Sequence, residues 1–304
     1  MSPAATTEML GAFEGVGGLK VLRDAAFAVT GKLSTPLPGV LAPLRSERYL
    51  AEANACANLA AVITTPALAE RLDSRLGVAV ASEPEAAHAE VHARLVALRA
   101  AALKARPTRI DPTAEIDGSA SVASYGVEIG PGVYVGPRSV ILPGSTIEAD
   151  CVLHVGAVIG VAGFQAARVG GRQRIAAQLG GVRLARGVEL LADVAVARAL
   201  FGGETLVGEE TLADCHVYIA HDCRIGARVQ ICALANILGR VEIGDDAYVG
   251  PSAVVVNGAR IGAGAKLTMG AVVTRDVPAG AVVSGNFAIE HHRFLDHLRA
   301  IRGA

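Results

Sequence analysis

The residue with the clearest capacity for chemistry is His221, which lies in the stretch VYIAHDCRIG close to two carboxylates, Asp214 and Asp222. Imidazole has an ordinary pKa of about 6.5, so it can accept a proton from an attacking nucleophile, and a nearby carboxylate can fix its tautomer. Gly239 follows His221 by 18 residues, and a backbone N–H at a glycine can bind a developing oxyanion. These residue types could supply a general base and a hydrogen-bond donor for a developing oxyanion.

An aliphatic residue at every sixth position defines the element that must position these residues. The longest run extends from Val207 to Val273, and only Ala213 in it is not a large aliphatic residue. A period of six fits neither a helix nor a simple amphipathic strand. It predicts short strands joined by tight turns, with three hexads forming one coil of a parallel β-helix. Gly239 then lies one coil from His221, at a spacing of about 4.8 Å.

The first hundred residues have a different pattern. A strand is predicted over 60–63, a helix beginning at Pro66, a second strand over 77–81 and a helix from Glu83, which together indicate a small α/β domain. Two interruptions of the six-residue period predict loops that project from the prism formed by the β-helix coils, one over 161–181 and one between Val196 and Val207. The predicted division is a small α/β domain (1–106), a β-helix domain (107–285) and a C-terminal helix (286–304).

Composition excludes several classes of function. The 28 basic and 29 acidic residues of the 304 leave a net charge of −1, which argues against a nucleic-acid partner. No stretch approaches 18 consecutive apolar residues, so no integral membrane segment is expected. The N-terminus lacks the features of a signal peptide, and the five cysteines contain no CxxC pair. A cytoplasmic location is therefore predicted.

Four stretches resemble one family. They are Ala213–Asp214 with the following IAHD sequence, Gly163–Phe164 in IGVAGFQAA, Gln178 and Gly180 in AQLGGV, and Arg48–Tyr49. With the two-domain layout, they resemble the UDP-3-O-acylglucosamine N-acyltransferases of lipid A biosynthesis, within the hexapeptide-repeat acyltransferase superfamily. The resemblance implies a mainly β fold: a left-handed parallel β-helix of hexapeptide repeats with a small N-terminal α/β domain and a short C-terminal helix.

The resemblance also implies roles for individual residues. His221 would be the catalytic base, Asp214 its favoured orienting partner with Asp222 as the alternative, and Gly239 the oxyanion donor. Residues implied in substrate binding are Asp222, Gly163, Phe164, Gln178 and Tyr49. The implied reaction moves a 3-hydroxyacyl group from acyl carrier protein to the amine of a nucleotide-linked amino sugar. No metal or other cofactor is implied, and the assembly would be a homotrimer with active sites between neighbours.

Departures from the family pattern keep alternatives open. Pro43 and Ser46 replace an aromatic residue and an asparagine expected near the uracil, Gly258 replaces a second histidine, and 194–200 keeps only Arg198 of an expected motif. The ending over 269–286 resembles acetyl-CoA-dependent N-acetyltransferases of nucleotide dideoxyamino sugars, so a CoA thioester is the alternative donor. Remote alternatives are a non-catalytic scaffold and a β-helical carbonic anhydrase, because His216 and His221 have the spacing of two zinc ligands.

A basic surface is the feature that could distinguish the two donors. Arg172 and Arg174 lie with Arg168 in the first interruption, and further arginines, Arg293, Arg299 and Arg302, fall near the C-terminus. An acidic carrier protein would be attracted by such a surface.

Overall fold

A computed structural model describes residues 6–169, 171–285 and 290–302. Its N-terminal region contains the strands and α-helices β1 Glu8–Met9, β2 Lys20–Arg23, β3 Ala26–Phe27, β4 Val29–Thr30, β5 Val40–Leu44, α1 Leu50–Ala55, β6 Leu59–Thr64, α2 Pro66–Ala69, β7 Gly77–Val80 and α3 Pro84–Lys104. Short 3-10 helices span Leu10–Phe13, Val16–Gly18 and Glu47–Tyr49. The strands and helices predicted from the patterns after residue 59 are present as β6, α2, β7 and α3.

The N-terminal region is built on a five-stranded sheet in the order β2-β7-β6-β5-β4. The strand β2 pairs antiparallel with β7, and the other neighbours are parallel. Helix α3 packs on this sheet through Ala87, His88, Val91, His92 and Leu95, whose spacing of three and four residues places them on one helix face. Two histidines therefore belong to a buried helix face.

The rest of the described chain forms a left-handed parallel β-helix followed by helix α4, His291–Arg302, and this confirms the fold class predicted from the repeats. The first sheet contains Arg109–Ile110, Val127–Ile129, Ser145–Ile147, Gly181–Leu184, Glu204–Val207, Arg224–Ile225, Glu242–Ile243 and Arg260–Ile261. The second contains Glu115–Ile116, Tyr134–Val135, Val152–Leu153, Glu189–Leu190, Leu212–Ala213, Gln230–Ile231, Tyr248–Val249, Lys266–Leu267 and Val282–Val283. The third contains Ser121–Val122, Val140–Ile141, Val158–Val161, Ala195–Ala197, Tyr218–Ile219, Asn236–Ile237, Val254–Val255 and Val272–Val273.

The six-residue period sets the core of the prism. Ile219 pairs with Ile237, and Ile237 with Val255, each 18 residues further along, and all three side chains have 0% exposure. One aliphatic side chain per hexad thus points inward and stacks on the same position of the next coil. This stacking fixes the register, because a slip of one residue would turn the aliphatic column outward.

Both interruptions leave the prism at the predicted places. The first carries an antiparallel hairpin, Ala166–Val169 with Arg172–Ile175. Helix α3 contacts the first strand of this hairpin. The second excursion, around 198–203, packs under the N-terminal region, where a Cβ on Gly202 would lie 2.7 Å from Val29 Cγ1.

The predicted C-terminal helix over 286–304 is present as α4, although residues 286–289 lie outside the described part of the chain. Among the helices that the structure describes, none is long and apolar enough to span a membrane.

Candidate active site

His221 lies just after the strand Tyr218–Ile219, at a corner of the prism, and only 4% of it is exposed. Its Nδ1 is 2.7 Å from Asp222 Oδ2. Because an ionised carboxylate can only accept, Nδ1 carries the proton in this pair and Nε2 keeps a free lone pair. The structure thereby holds the imidazole in the tautomer that a general base needs.

Asp222 is itself fixed from two sides. It occupies the left-handed region at a φ of 60°, which aspartate tolerates better than most residues, and its N–H donates to Thr205 Oγ1 at 2.9 Å. Its Oδ1 accepts the N–H of Leu200, in the second excursion, at 3.0 Å. The excursion therefore holds the carboxylate that orients His221.

Asp214, the partner favoured from the sequence, does not contact His221, and this assignment is corrected to Asp222. The Oδ1 of Asp214 accepts the N–H of Cys215 at 2.7 Å, and its Oδ2 accepts the N–H of Ala233 at 3.2 Å. It follows the strand Leu212–Ala213 of the second sheet, whereas His221 follows a strand of the third. The different corners explain why the two side chains do not meet.

Exchange of each carboxylate for an amide should separate these roles. Asp222→Asn is expected to lower turnover by about tenfold or more, since an amide can also stabilise the wrong imidazole tautomer. Asp214→Asn should change turnover by less than about threefold, because it acts on backbone groups away from the imidazole. The measurement is the initial rate at saturating substrate together with the thermal midpoint. Equal losses of turnover in the two variants would refute the reassignment.

Gly239 faces the reactive edge of His221. A Cβ at this position would lie 2.8 Å from both Cε1 and Nε2 of the imidazole and 2.9 Å from Asn257 Oδ1. Within the described residues, the N–H of Gly239 has no hydrogen-bond acceptor. The glycine therefore leaves space beside Nε2, together with an available N–H, as the oxyanion role requires.

Asn257 is a polar neighbour that the sequence analysis did not single out. It lies one coil beyond Gly239 in the same column, so the spacing that located Gly239 would also have located it.

The hairpin loop packs against the other side of the imidazole. A Cβ on Gly163 would lie 2.8 Å from Cβ and Cδ2 of His221, so only a glycine fits without displacement. Gln178 donates to the carbonyls of Gly163 at 3.4 Å and Ala176 at 2.8 Å, and its buried Oε1 has no hydrogen-bond partner among the residues that the structure describes. The next residue, Phe164, is 76% exposed. The structure thus brings Gly163 to His221, with Gln178 bonded to Gly163, and leaves the Phe164 ring open to solvent.

A cavity of about 500 Å³ lies between the N-terminal region and the two excursions. Lys32 and Pro43 line it from the sheet side, His88 and His92 from α3, and Phe201 from the second excursion. Tyr49 is 44% exposed at the end of a 3-10 helix, with the Arg48 guanidinium carbon 5.5 Å from its ring centre. Tyr49 is not among the residues that line this cavity.

The two α3 histidines attach the N-terminal region to the hairpin. His92 accepts from Thr30 Oγ1 at 2.6 Å through Nδ1 and donates to the carbonyl of Ala177 at 2.7 Å through Nε2. Burial lowers the pKa of His92 and lowers that of His88 to about 3, so both are neutral at pH 7. Since Ala177 precedes Gln178, this contact connects α3 to the loop that covers His221.

The arrangement of the other β-helix histidines differs from that of a shared zinc site. Nδ1 of His216 is 3.9 Å from Asp193 Oδ2, whereas His221 pairs with Asp222. His154 pairs with Glu189 at 2.8 Å. In the described parts of the chain, no group of three His, Cys, Asp or Glu side chains is placed to hold a metal ion.

Comparison with known proteins agrees with the repeats. Two family models match, the bacterial transferase hexapeptide (six repeats) over 126–160 and the hexapeptide repeat of succinyl-transferase over 240–275. A UDP-3-O-acylglucosamine N-acyltransferase from Helicobacter pylori is 41% identical over 159 residues, which is 50% of this chain and 47% of that protein. An acyl-[acyl-carrier-protein]–UDP-N-acetylglucosamine O-acyltransferase from Burkholderia thailandensis is 32% identical over 97 residues, which is 32% of this chain and 37% of that protein.

A solved structure, the UDP-N-acetylglucosamine acyltransferase from Campylobacter jejuni, is 19% identical and aligns over 64% of this chain and 83% of its own, with a TM-score of 0.48. The chain spans less than half the length of the two curated relatives from Helicobacter pylori and Burkholderia thailandensis. The stacked six-residue coils agree with both repeat models, and the chain is similar to hexapeptide-repeat acyltransferases, among them the UDP-3-O-acylglucosamine N-acyltransferases.

Proposed function

We propose that the chain is an N-acyltransferase that moves an acyl group from a thioester to the amine of a nucleotide-linked amino sugar. The observation that carries the proposal is the imidazole of His221, with its Nδ1 paired to Asp222 and its Nε2 facing the backbone of Gly239. A base and an oxyanion donor on adjacent coils are the two groups that attack on a thioester carbonyl requires.

In the proposed step, the amine nitrogen bonds to the thioester carbon while Nε2 of His221 removes its proton. The carbonyl oxygen becomes an oxyanion that accepts a hydrogen bond from the N–H of Gly239. When the tetrahedral intermediate collapses, the C–S bond breaks and the thiolate leaves with the proton from the imidazolium. Asp222 stabilises the imidazolium between the two proton transfers. No cofactor takes part beyond the acyl thioester, which is a substrate.

The cavity beside the paired His221 and Asp222, which form the catalytic dyad of this proposal, supports a nucleotide sugar as acceptor. It lies against the second excursion, whose Leu200 both lines the cavity and donates to Asp222. Lys32 offers a basic side chain for a phosphate there and Pro43 offers apolar wall atoms for a base, whereas Arg45 is paired with Glu83 at 3.2 Å. A lipid A precursor is the favoured acceptor because the two curated relatives act on UDP-linked glucosamine derivatives.

The favoured donor is a 3-hydroxyacyl group on acyl carrier protein, and the alternative is acetyl-CoA. Arg172 and Arg174 are exposed on the hairpin and could attract an acidic carrier protein. On α4, by contrast, Arg293 pairs with Glu290 at 3.2 Å and Arg299 with Asp296 at 2.9 Å. These ion pairs weaken one part of the expected basic surface and favour the CoA alternative.

We propose a homotrimer in the cytoplasm. The outward positions of the third sheet are mostly apolar, and Val272, at one end of the sheet, is 70% exposed. Contact between such faces would bury them. All five cysteines are free, which suits a reducing compartment.

The donor is tested by comparing a 3-hydroxyacyl carrier protein with acetyl-CoA at 50 and 300 mM salt, on each amino sugar that raises the thermal midpoint. The carrier-protein reaction should dominate and slow at high salt, because screening weakens attraction between charged proteins. Turnover with acetyl-CoA alone, unchanged by salt, would refute the carrier-protein assignment and indicate a dideoxyamino sugar as acceptor. No turnover with either donor would refute the proposed function.

A further inference from the structure

Two cationic side chains beside the catalytic dyad lack an acidic partner. Arg240 directly follows Gly239, and its N–H donates to the His221 carbonyl at 2.9 Å. Its Nη1 is buried and has no hydrogen-bond acceptor among the described residues. Lys32, from the loop after β4, keeps an exposed side chain and lies within electrostatic range of both Arg240 and Asp222. Neither cation forms an ion pair in the described part of the chain.

At the next corner of the β-helix, an arginine and an aspartate on adjacent coils form the ion pair that Arg240 lacks. Arg228 and Asp246 are 18 residues apart at corner positions, and Arg228 donates to the two carboxylate oxygens through Nε and Nη2, both at 2.8 Å. Asp222 and Arg240 stack in the same way, also with φ angles near 60°. They form no ion pair, because Asp222 accepts Leu200 N–H through Oδ1 and pairs with His221 through Oδ2. The dyad occupies the carboxylate that would otherwise bind Arg240.

Leaving these cations unpaired is unfavourable. A buried guanidinium N–H without an acceptor loses its hydration and gains nothing in return. Burial lowers the pKa of Lys32, repulsion from Arg240 lowers it further, and Asp222 opposes the shift. An anion placed between the two cations would satisfy the guanidinium and remove the repulsion. Lys32 keeps solvent access, as contact with an incoming ligand requires.

We propose that Lys32 and Arg240 together bind a phosphate group of a substrate, immediately beside the His221–Asp222 dyad. A guanidinium matches phosphate oxygens with two parallel N–H bonds, and an ammonium adds a point charge. The identity of the phosphate rests on the proposed function, which offers two sources. One is the diphosphate of the nucleotide sugar, and the other is the phosphate of the phosphopantetheine arm that carries the acyl group.

Equilibrium binding distinguishes the sources without any need for turnover. The probes are UDP, GDP and dTDP on one side and 4′-phosphopantetheine on the other, titrated calorimetrically into the full chain. Lys32→Met and Arg240→Met should each weaken one class of probe by about tenfold or more, the usual scale for a charged hydrogen bond. Loss for the nucleotides assigns the diphosphate, and loss for phosphopantetheine assigns the donor arm. Lys20→Met and Arg228→Met, which remove exposed cations elsewhere, should bind within about twofold of wild type.

The proposal is overturned if no probe binds the wild-type chain, or if both variants bind every probe within about twofold of wild type. Lys32→Met changes an accessible loop side chain and should leave the fold intact. Its binding data therefore test the proposal even if Arg240→Met does not fold. Binding that depends on these cations without acyl transfer would refute only the proposed function. Acyl transfer with binding unchanged in both variants would refute only this site.

Discussion

Replacing His221 by alanine should reduce turnover by about 100-fold or more while leaving the fold intact. General base catalysis contributes about 10²–10⁴-fold. Nε2 of His221 faces Gly239, and its Nδ1 is paired with Asp222. No second imidazole in the described structure is placed to take over as the base. The measurement is the steady-state rate on the identified substrates, with the thermal midpoint as a check on folding.

His216→Ala is the matched control. It removes an imidazole five residues earlier in the same coil, whose Asp193 contact is at 3.9 Å and exposed. Its turnover should stay within about threefold of wild type. If His221→Ala also keeps turnover within about threefold, the proposed acyl-transfer mechanism is wrong.

Gly239→Ala should reduce turnover far more than it reduces stability. The added methyl would lie 2.8 Å from Cε1 and Nε2 of His221, in the space that the thioester carbonyl must enter. Loss of one oxyanion donor costs about 10²–10³-fold in turnover, and displacement of the imidazole adds to that loss. The rate and the thermal midpoint should be measured on the same preparation.

Gly118→Ala supplies the control for a glycine on a β-helix coil. A Cβ there meets no heavy atom within 4 Å, so neither rate nor stability should change appreciably. If Gly239→Ala lost stability and turnover in equal measure, the residue would have only a structural role.

The sequence predicted the β-helix well because the period of six residues is a direct consequence of its geometry. Ile219 and Ile237 could be placed on adjacent coils from their spacing alone, and this is the register observed. The same spacing located Gly239 opposite His221. Regular repetition converts distance along the chain into distance in space.

The parts of the site that escaped prediction depend on contacts between distant segments. The resemblance favours Asp214 because it matches the family's acidic position, and nothing in that match shows that both Asp214 oxygens bind turn N–H groups. The bond between His92 and Ala177 joins residues 85 positions apart through a helix and a hairpin. Lys32, in the loop after β4, lies within electrostatic range of Arg240 in the β-helix. No local pattern encodes such contacts.

The most direct test of the central claim is to identify the bond that the chain forms. A nucleotide-linked amino sugar, its N-acetylated counterpart, an acyl thioester and the chain would be incubated, and the products analysed by mass spectrometry before and after alkaline hydroxylamine, which cleaves oxygen esters and leaves amides intact. We expect one acyl group on the free amine only, in an amide that survives hydroxylamine, and loss of this product in His221→Ala. Acylation of the N-acetylated sugar, or a product that hydroxylamine cleaves as an ester, would contradict the proposed N-acyl transfer.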